Sequence, residues 1–320
     1  MSDLPPTTAT KSPLRPIQIV TGSRLHFGLL RASSPFGGVG VMIDTPQTKV
    51  TVSPAESWSI DTQFSSRAVP IAQRVARIAG SKDLPNCRVT VQNDTSRKHQ
   101  GLGSGTQLSL SIAEGLCQFA NLDVSQEQLA VQIADRGKRS AVGVHGYFQG
   151  GLIHEEPTDG RSLNPVVNRI PLPPQWRVAF YLPPTPNDPV SGTIESDMFA
   201  KLPDADERHI CELQNCLSQN LIPSASRGDF EGFTTAVTTY NRLSGMLFAE
   251  VQGGAYNGEN VTTLVKKLQQ HGAVGVGQSS WGPGVFAWFE SAASLTDFHL
   301  DIDSELRPSF VASVMNQGRH

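Results

Sequence analysis

The sequence predicts a folded, two-lobed protein that mixes α-helices with β-strands, and three observations predict it. Its 320 residues exceed what one hydrophobic core usually supports. Hydrophobic residues make up 38% of the chain and charged residues 17%, as is typical of globular proteins. Strand-like and helix-like segments follow one another in two sets, separated by the Pro-rich stretch RIPLPPQW. We therefore predict a flexible tail at 1–16, a first domain at 17–172 and a second at 173–320.

The first lobe begins with strands in this prediction. The β-rich runs PIQIVTG, RLHFGLL, GGVGVMI and KVTVS are separated by Gly, Pro and Ser, which predicts hairpins or a meander of short strands. The segment RAVPIAQRVARIAG predicts a helix that ends at Gly80, and CRVTVQ predicts the next strand. A glycine-rich loop then leads into a helix, because four apolar residues recur at helical spacing: Leu108, Ile112, Leu116 and Phe119.

The remaining elements follow from capping and apolar spacing. Ser125 and Gln128 are the two ends of a capping box, so a helix begins there, and Gly137 is expected to end it. SAVGVHGYFQGGLIHE predicts two strands joined at the Gly-Gly pair. In the second lobe RVAFYLP predicts a strand, and AVGVGQSSWGPGVFAWFE predicts strand, glycine loop and strand. Three apolar stripes predict helices: Ile210, Leu213, Leu217 and Leu221; Phe230, Phe233, Val237 and Tyr240; and Val261, Leu264, Val265 and Leu268.

Composition excludes several classes of protein. The net charge of −3 and the pI of about 6.2 give no overall basic field for nucleic acid or an anionic membrane, so any anion site is local. No apolar run approaches the roughly 18 to 20 residues that span a bilayer. The segment MSDLPPTTATKSPLRP lacks the apolar core of a signal peptide, and we expect a cytoplasmic protein. The four cysteines form no CxxC pair and are expected to be buried thiols: Cys87, Cys117, Cys211 and Cys216.

The stretch HQGLGSGTQLSL, residues 99–110, is the strongest candidate for a binding site. A strand, a glycine loop and a helix N-terminus together favour an anion, since the first helical N–H groups have no partner within the helix and the dipole is positive there. A capping box between Ser104 and Gln107 explains the same residues without a ligand. A Walker loop is excluded because it must end in Lys followed by Ser or Thr, whereas here Gln107 follows Thr106. A dinucleotide fingerprint is excluded because its third Gly is missing.

This loop resembles the second motif of the GHMP superfamily of small-molecule kinases, P-x-x-x-G-L-G-S-S-A. GSRLHFGLL and GAVGVGQSSWGPGVFA lie where the first and third motifs of that family belong, and the three motifs span nearly the whole chain. The resemblance implies an α+β, two-lobed GHMP-type fold. In that fold the N-terminal domain has a left-handed βαβ crossover, the C-terminal domain is ferredoxin-like, and the active site lies between them.

One departure from the motifs argues against kinase activity. GHMP kinases commonly carry a catalytic Asp in a P-S-G-x-D segment ahead of a Gly-Gly pair, and the comparable stretch RSAVGVHGYFQGG has Gly143 or Val144 at that place. Without this carboxylate, phosphoryl transfer loses its obvious base. The same blocks resemble the β-ribofuranosylaminobenzene 5'-phosphate synthases, a non-kinase branch of the superfamily, over residues 17–290.

That branch starts tetrahydromethanopterin synthesis by joining phosphoribosyl pyrophosphate to 4-aminobenzoate, with release of pyrophosphate and carbon dioxide and without ATP. The resemblance implies the same reaction here, with Mg²⁺ accompanying the pyrophosphate and a homodimer as the assembly. Two alternative functions stay open: an ATP-dependent GHMP kinase for a small alcohol or sugar, and a non-catalytic member that binds a phosphorylated metabolite. No nucleic-acid or membrane partner is expected.

A pyrophosphate leaving group needs fixed donors for the negative charge that develops on it. The expected phosphate-binding residues lie in the glycine loop and in a cationic block: Gly101, Gly103, Ser104, Gly105, Thr106, Arg136 and Lys138. The expected catalytic residues are Arg24, His26, Arg139 and His145. Arg24 and His26 alternate on one strand and therefore share a face. Each of these residues also has a purely structural explanation. Arg24 and His26 can lie on a solvent-facing strand, and His145 can be a core residue. The cations at 136–139 can complement a helix C-terminus.

The third motif is expected to hold the aromatic substrate through Gln278, Ser279, Ser280 and Trp281. An exposed Trp281 can stack on the aminobenzoate ring, a contact worth about 0.5 to 1.5 kcal/mol, although a plain turn accounts for the same residues. The sequence assigns no metal ligands. His154, Glu155 and Glu156 fit a solvated turn better than a metal cluster. Glu155 or Asp188 is the carboxylate that Mg²⁺ would use beside substrate phosphates.

Overall fold

The computed structural model describes residues 15–34, 36–93, 100–158, 162–183, 206–300 and 306–320. Asp188 and most of the predicted tail at 1–16 lie outside these ranges. Within them, the first lobe is built on a six-stranded sheet. Its strands are β1 (Ile17–Leu29), β2 (Gly38–Pro54), β3 (Ser59–Ile60), β4 (Cys87–Asn93), β5 (Leu152–Glu155) and β6 (Val166–Ile170).

β1 and β2 form one long antiparallel hairpin, so the prediction of four short strands in this region is wrong. The glycine- and serine-containing positions that suggested breaks continue the strands instead. Two register shifts in the hairpin, at 21–23 and at 26–28, absorb the irregularities without ending β1. Arg24 is thereby paired with Met42, and His26 with Gly40, in the middle of the sheet.

β2 pairs with β1 along one edge and with both β4 and β5 along the other. β3 runs parallel to β4, and α1 (Thr62–Ile78) connects them, which gives the βαβ unit that the family resemblance expects to be left-handed. The predicted helix before Gly80 and the predicted strand after it are confirmed.

α2 (Ser104–Phe119) packs on β1 and β2 and buries its predicted apolar stripe. The predicted capping box is also present: Gln128 N donates to Ser125 Oγ at 3.1 Å, and Ser125 N donates to Gln128 Oε1 at 3.4 Å. The helix that follows is π-helical over Gln128–Ile133 and ends ahead of Gly137. Asp135 and Gly137 take positive φ angles of 58° and 91° and turn the chain towards the next helix.

That next helix, α3 (Val142–Gln149), lies where the first of two strands was predicted. Val and Gly in this segment favour a strand locally, but tertiary packing overrides the preference. A Cβ atom at Gly146 would lie 2.6 Å from the Met42 side chain, so glycine allows the helix to approach β2 closely. The second predicted strand is confirmed as β5.

The second lobe has a four-stranded antiparallel sheet: β7 (Arg177–Tyr181), β8 (Val274–Gln278), β9 (Val285–Phe289) and β10 (Phe310–Ser313). Its spatial order is β10-β7-β9-β8, and helices separate β7 from β8 and β9 from β10, which is the ferredoxin-like arrangement. The described helices are α4 (Glu207–Asn215), a π-helical Cys216–Leu221, α5 (Ile222–Arg227), α6 (Phe230–Met246), α7 (Ala249–Gln252), α8 (Gly258–Gln270) and α9 (Ala292–Leu300). The three predicted apolar stripes lie on these helices.

One hydrophobic core connects the lobes. Phe27 of β1 contacts the rings of Phe233 and Trp288, with centroids 6.2 Å away in both pairs. Residues 314–320 return from the second lobe to the first. His320 and Val20 exchange backbone hydrogen bonds, and Arg319 forms an ion pair of 2.7 Å with Glu114 of α2.

No helix in the described part of the chain is long and apolar enough to cross a membrane. All four cysteines are free. Three are buried as predicted, and burial raises the pKa of Cys87 and Cys117 to about 12. Cys211 is exposed on α4, which corrects the prediction for that thiol.

Candidate active site

A cavity of about 460 Å³ is lined by residues of both lobes. Nine of the predicted site residues line it: Arg24, His26, Thr106, Arg136, Lys138, Arg139, Gln278, Ser280 and Trp281. The three sequence motifs are therefore brought together, although they lie far apart along the chain.

β1 places Arg24 and His26 on the cavity, as their alternation predicts. His26 is buried, and its backbone joins the third motif: its N–H donates to Ser279 Oγ at 3.1 Å, and its carbonyl accepts from Ser280 N at 3.2 Å. Burial, and next the charge of Arg24, lower the pKa of His26 well below 6.5. His26 is therefore a neutral imidazole at neutral pH.

The glycine loop is held between the first and third motifs. Arg24 N donates to Leu102 O at 2.9 Å, and Ser279 Oγ donates to Gly101 O at 2.7 Å. Gly101 has φ +88°, and a Cβ there would lie 2.0 Å from Ser279 O, so only glycine fits. Gly101 and the fully buried Ser279 thus position the loops and do not line the cavity.

The capping alternative for this loop is wrong. The residue that caps α2 is Gly103, at φ +67°, and it supplies no side-chain hydrogen bond. Gln107 is buried and points away from the helix end, accepting from Thr21 Oγ1 at 2.9 Å and donating to Gly143 O at 2.8 Å. Thr106 faces the cavity. The start of α2 therefore has no side-chain cap, and Thr106 brings its first turn to the cavity.

The first lobe supplies a cationic wall, defined by Arg24, Arg136, Lys138 and Arg139. Among the described cavity residues, Asp135 is the one carboxylate, and it forms an exposed 2.8 Å ion pair with Lys138. The hydrogen bond from Lys138 is the main reason why the pKa of Asp135 is lowered. Positive charge is in excess on this wall, which favours a ligand with several negative charges.

The second lobe supplies an aromatic wall, defined by Phe248 and Trp281. Their ring centroids are 5.2 Å apart with planes inclined at 54°, and Trp281 Nε1 donates to Gln252 Oε1 at 2.9 Å. Trp281 is half-buried, whereas the sequence predicted an exposed ring. The packing fixes the ring orientation, which leaves a preformed apolar surface on the cavity.

A buried carboxyl lies behind His26. Glu155 of β5 is fully buried and accepts a 2.7 Å hydrogen bond from Ala141 N, so the expected solvated position is wrong for this residue, whereas Glu156 is exposed after the end of β5. Desolvation raises the pKa of Glu155 to about 7. Its neighbour Ser140 lines the cavity, with Oγ 3.2 Å from His26 Nε2. Glu155 is thus the innermost of three neighbouring polar side chains, and the other two, Ser140 and His26, line the cavity.

His145 lies apart from the cavity lining. Its Nε2 forms a 2.7 Å hydrogen bond with Asn164 O, and burial lowers the pKa of its ring. His145 is thus a half-buried, hydrogen-bonded residue, which is closer to the alternative that the sequence left open than to a site role. Gly103, Ser104 and Gly105 are likewise not among the lining side chains, although their backbone forms the start of α2. No group of three His, Cys, Asp or Glu residues in the described ranges could hold a metal.

Two family models match parts of this chain. A model of the GHMP kinases N terminal domain matches residues 66–150, and a model of the GHMP kinases C terminal region matches residues 221–299.

The chain belongs to the GHMP superfamily.

Three curated relatives carry one name, β-ribofuranosylphenol 5'-phosphate synthase. The protein of Archaeoglobus fulgidus is 28% identical over 331 residues, covering 94% of this chain and 98% of the relative. The protein of Methanothermobacter thermautotrophicus is 26% identical over 296 residues, which cover 84% of this chain and 87% of the relative. The chain is thus related over most of its length to transferases of the superfamily.

Solved structures confirm the GHMP fold. Streptococcus pneumoniae phosphomevalonate kinase superposes with a TM-score of 0.67 at 13% identity, covering 93% of this chain and 99% of that one. Streptococcus pyogenes mevalonate pyrophosphate decarboxylase superposes with a TM-score of 0.68 at 11% identity, covering 97% and 99%. At such identities the likeness concerns the fold alone.

In this GHMP protein, Gly143 stands beside the cationic wall. A Cβ at Gly143 would lie 3.6 Å from Arg24 Nε and 3.6 Å from Thr106 Cγ2, both of which belong to cavity residues. A carboxylate at this position would therefore reach the site, and the sequence has none. Asp135 is thus the one carboxylate among the described cavity residues, and the expected position of the kinase base, Gly143 or Val144, adds none.

Several cavity residues were missed by sequence reasoning. Asn241 of α6 donates to Phe27 O at 2.7 Å and to Gln278 O at 2.8 Å, and Ser244 donates to Leu29 O at 2.8 Å. Asn241 thus connects the first motif to the third. The spacing of Asn241, Ser244 and Gly245 forms a polar stripe beside the predicted apolar stripe of α6, which is a signal that could have found them.

Proposed function

We propose that this protein is a pentosyltransferase that joins phosphoribosyl pyrophosphate to 4-aminobenzoate. Pyrophosphate and carbon dioxide leave, and 4-(β-D-ribofuranosyl)aminobenzene 5'-phosphate forms, the first step of tetrahydromethanopterin synthesis. The observation that carries the proposal is one cavity with a cationic wall on one lobe and an aromatic wall on the other. That combination suits a multiply charged phosphate ester beside an aromatic ring.

The cationic wall would act on the leaving group. As the bond between the anomeric carbon and the pyrophosphate oxygen breaks, negative charge grows on pyrophosphate and positive charge on the ribose. Fixed donors that meet this negative charge lower the barrier. Arg139 is our first choice for this role, since a guanidinium can bind two phosphate oxygens at once, and Arg136 and the start of α2 are the nearby partners.

The aromatic wall would orient the acceptor. The ring carbon that bears the carboxylate attacks the anomeric carbon and forms a carbon–carbon bond. The bond to the carboxylate then breaks, its electron pair returns to the ring, and carbon dioxide leaves. These reaction steps balance without removal of a proton. They therefore do not need the catalytic base of the kinases, which is missing here at Gly143 or Val144. The neutral His26 adds no positive charge next to the ribose cation.

The relatives' name points to a second acceptor. A ribofuranosylphenol product carries a ring hydroxyl where the aminobenzene product carries an amine. The same transfer from 4-hydroxybenzoate would give the phenol, with the same bonds made and broken. We therefore propose a 4-substituted benzoate as the acceptor class, with 4-aminobenzoate as the acceptor that the family resemblance implies and 4-hydroxybenzoate as its competitor.

Mg²⁺ would enter with the pyrophosphate. Such an ion needs one or two protein carboxylates beside substrate phosphates, and Asp135 is the described cavity carboxylate that fits. The bound ion would supply charge neutralisation for the leaving pyrophosphate. We also propose a homodimer, which sedimentation of the purified chain would test.

Release of labelled carbon dioxide tests the function directly. Purified protein is incubated with phosphoribosyl pyrophosphate, Mg²⁺ and carboxyl-labelled 4-aminobenzoate or 4-hydroxybenzoate. We expect label in the gas phase with at least one acceptor, dependence on phosphoribosyl pyrophosphate, and no effect of ATP. ADP formation from ATP with a small alcohol would indicate a kinase instead. Binding of phosphoribosyl pyrophosphate without turnover of either acceptor would indicate a binding protein.

A further inference from the structure

A second cleft of about 280 Å³ lies beside the cavity. Its lining comes from α1, from Ser109 of α2, and from residues 134–136, and Asp135 and Arg136 line both spaces. Pockets for drug-sized ligands start at about 300 Å³, so this cleft suits a smaller group. Three of its side chains are arginines: Arg67, Arg74 and Arg136.

Two of these arginines converge on one hydroxyl. Arg67 Nη1 lies 3.0 Å from Ser109 Oγ, and Arg136 approaches the same oxygen with Nε at 3.1 Å and Nη2 at 3.0 Å. A hydroxyl oxygen has two lone pairs, so it cannot satisfy three N–H donors at once. Ser109 is fully buried and neutral. Backbone carbonyls take part of this donor capacity, because Arg67 Nη1 also donates to Gly105 O at 3.0 Å and Arg74 Nη1 donates to Ile133 O at 2.8 Å. The two guanidinium groups at Ser109 still bring more N–H donors than its oxygen accepts, which suits an acceptor with more oxygens.

The charges of the cleft lead to the same conclusion. All three arginines are half-buried, and the carboxylate among the described cleft residues, Asp135, is paired with Lys138. Desolvation, and next the charge of Arg67, lower the pKa of Arg136 to about 10. Partly buried like charges repel one another unless an opposite charge joins them. A bound anion would offset both the repulsion and the desolvation.

We propose that Arg67, Arg74 and Arg136 form a second anion site, which binds a phosphate group. Guanidinium forks match phosphate oxygens in pairs, and three of them suit a dianion. Arg136 connects this site to the cavity. The phosphate can belong to a substrate that extends from the cavity, or to a separate phosphate-bearing ligand. The site itself does not depend on the reaction proposed above.

Two variants separate this site from the cavity. Arg74 lines the second cleft and not the cavity, so Arg74→Gln removes one cation of the proposed site alone. Arg77→Gln, one turn along α1 at an exposed position, is its matched control. Ser66 is exposed and lines the cleft, so Ser66→Asp adds a competing carboxylate without disturbing the core, and Ser66→Asn is the uncharged control.

Calorimetric titration with inorganic pyrophosphate measures the effect. We expect Arg74→Gln and Ser66→Asp to weaken binding about 10- to 100-fold, as for the loss of a charge-assisted contact, whereas both controls bind like the wild type. If Arg74→Gln fails to fold, Ser66→Asp against Ser66→Asn decides alone. Equal affinity in Ser66→Asp and Ser66→Asn, or no binding of pyrophosphate to the wild type, overturns the proposal.

Phosphoribosyl pyrophosphate as a second probe identifies the source of the phosphate. Parallel weakening of both probes assigns the site to a phosphate of the substrate. Weakening of pyrophosphate alone assigns it to a separate ligand. Because the readout is binding, the result is independent of whether carbon dioxide is released.

Discussion

Replacing Glu155 with glutamine tests whether the carboxyl behind His26 is protonated in the folded protein. Burial raises the pKa of Glu155 from 4.5 to about 7, against the opposing hydrogen bonds from Ser140, Ala141 N and Asn164 and the charge of Arg24. In the unfolded chain the same carboxyl loses its proton near pH 4.5. The folded state therefore binds more protons than the unfolded state between pH 4.5 and 7, and stability falls as the pH rises through this window.

The pKa rise gives the magnitude. Since one pKa unit corresponds to about 1.4 kcal/mol, the contribution of Glu155 that is present below pH 4.5 and lost above pH 7 amounts to about 3 kcal/mol. Glutamine has nearly the same shape, can still accept from Ala141 N, and does not titrate. Between pH 5 and pH 8, we expect the free energy of unfolding of the wild type to fall by about 2 to 3 kcal/mol more than that of Glu155→Gln.

Urea unfolding at pH 5, 6, 7 and 8 measures this difference for both proteins. The lowered pKa of His26 produces the opposite trend, a loss of stability as the pH falls below 6.5, but it is common to both proteins and cancels in the comparison. Parallel curves for wild type and variant would show that Glu155 titrates with an ordinary pKa, and the argument from burial would fail.

Variants at three further positions test the walls of the cavity. Arg139→Ala should lower the turnover number about 10²- to 10³-fold at saturating Mg²⁺, and Arg139→Lys should also be impaired; unchanged rates in steady-state assays would remove Arg139 from the site. Gly143→Asp places a carboxylate near Arg24 and should weaken phosphoribosyl pyrophosphate binding by calorimetry, whereas the neutral Gly143→Asn should not; equal affinities would contradict the assigned geometry. Trp281→Ala should raise KM for the benzoate about 2- to 12-fold with little change in KM for phosphoribosyl pyrophosphate, and a reversed pattern would refute the aromatic wall.

Helices and strands whose side chains repeat at a regular spacing could be predicted from the sequence. The stripe from Leu108 to Phe119 lies on one helix because apolar residues every three to four positions suit a buried face only in that conformation. Arg24 and His26 share a face because side chains alternate along a strand. Each prediction needs only neighbours in sequence, which is why both are confirmed.

Features that depend on contacts between distant segments were missed or mistaken. The helix at 142–149 forms because Gly146 fits against Met42, a contact across the fold that local preference for a strand does not reveal. Glu155 resembled a solvated residue because a single sequence does not show that β5 is covered on both faces. The convergence of Arg67 and Arg136 on Ser109 joins three separate segments, so no single motif marks it.

Within the described residues the chain passes between the lobes twice. The first passage is at 171–176, and the second is near Val314, which bridges to Ile43 as residues 314–320 return to the first lobe. A lobe attached at two places cannot swing freely about one hinge, because rotation at either connection pulls on the other. The ion pair of Arg319 with Glu114 fastens the second connection to α2. Entry of a ligand by a wide hinge opening is therefore disfavoured, and small sliding movements of packed elements are the motions that both connections allow. The two lobes and their two connections thus form a mechanically closed frame.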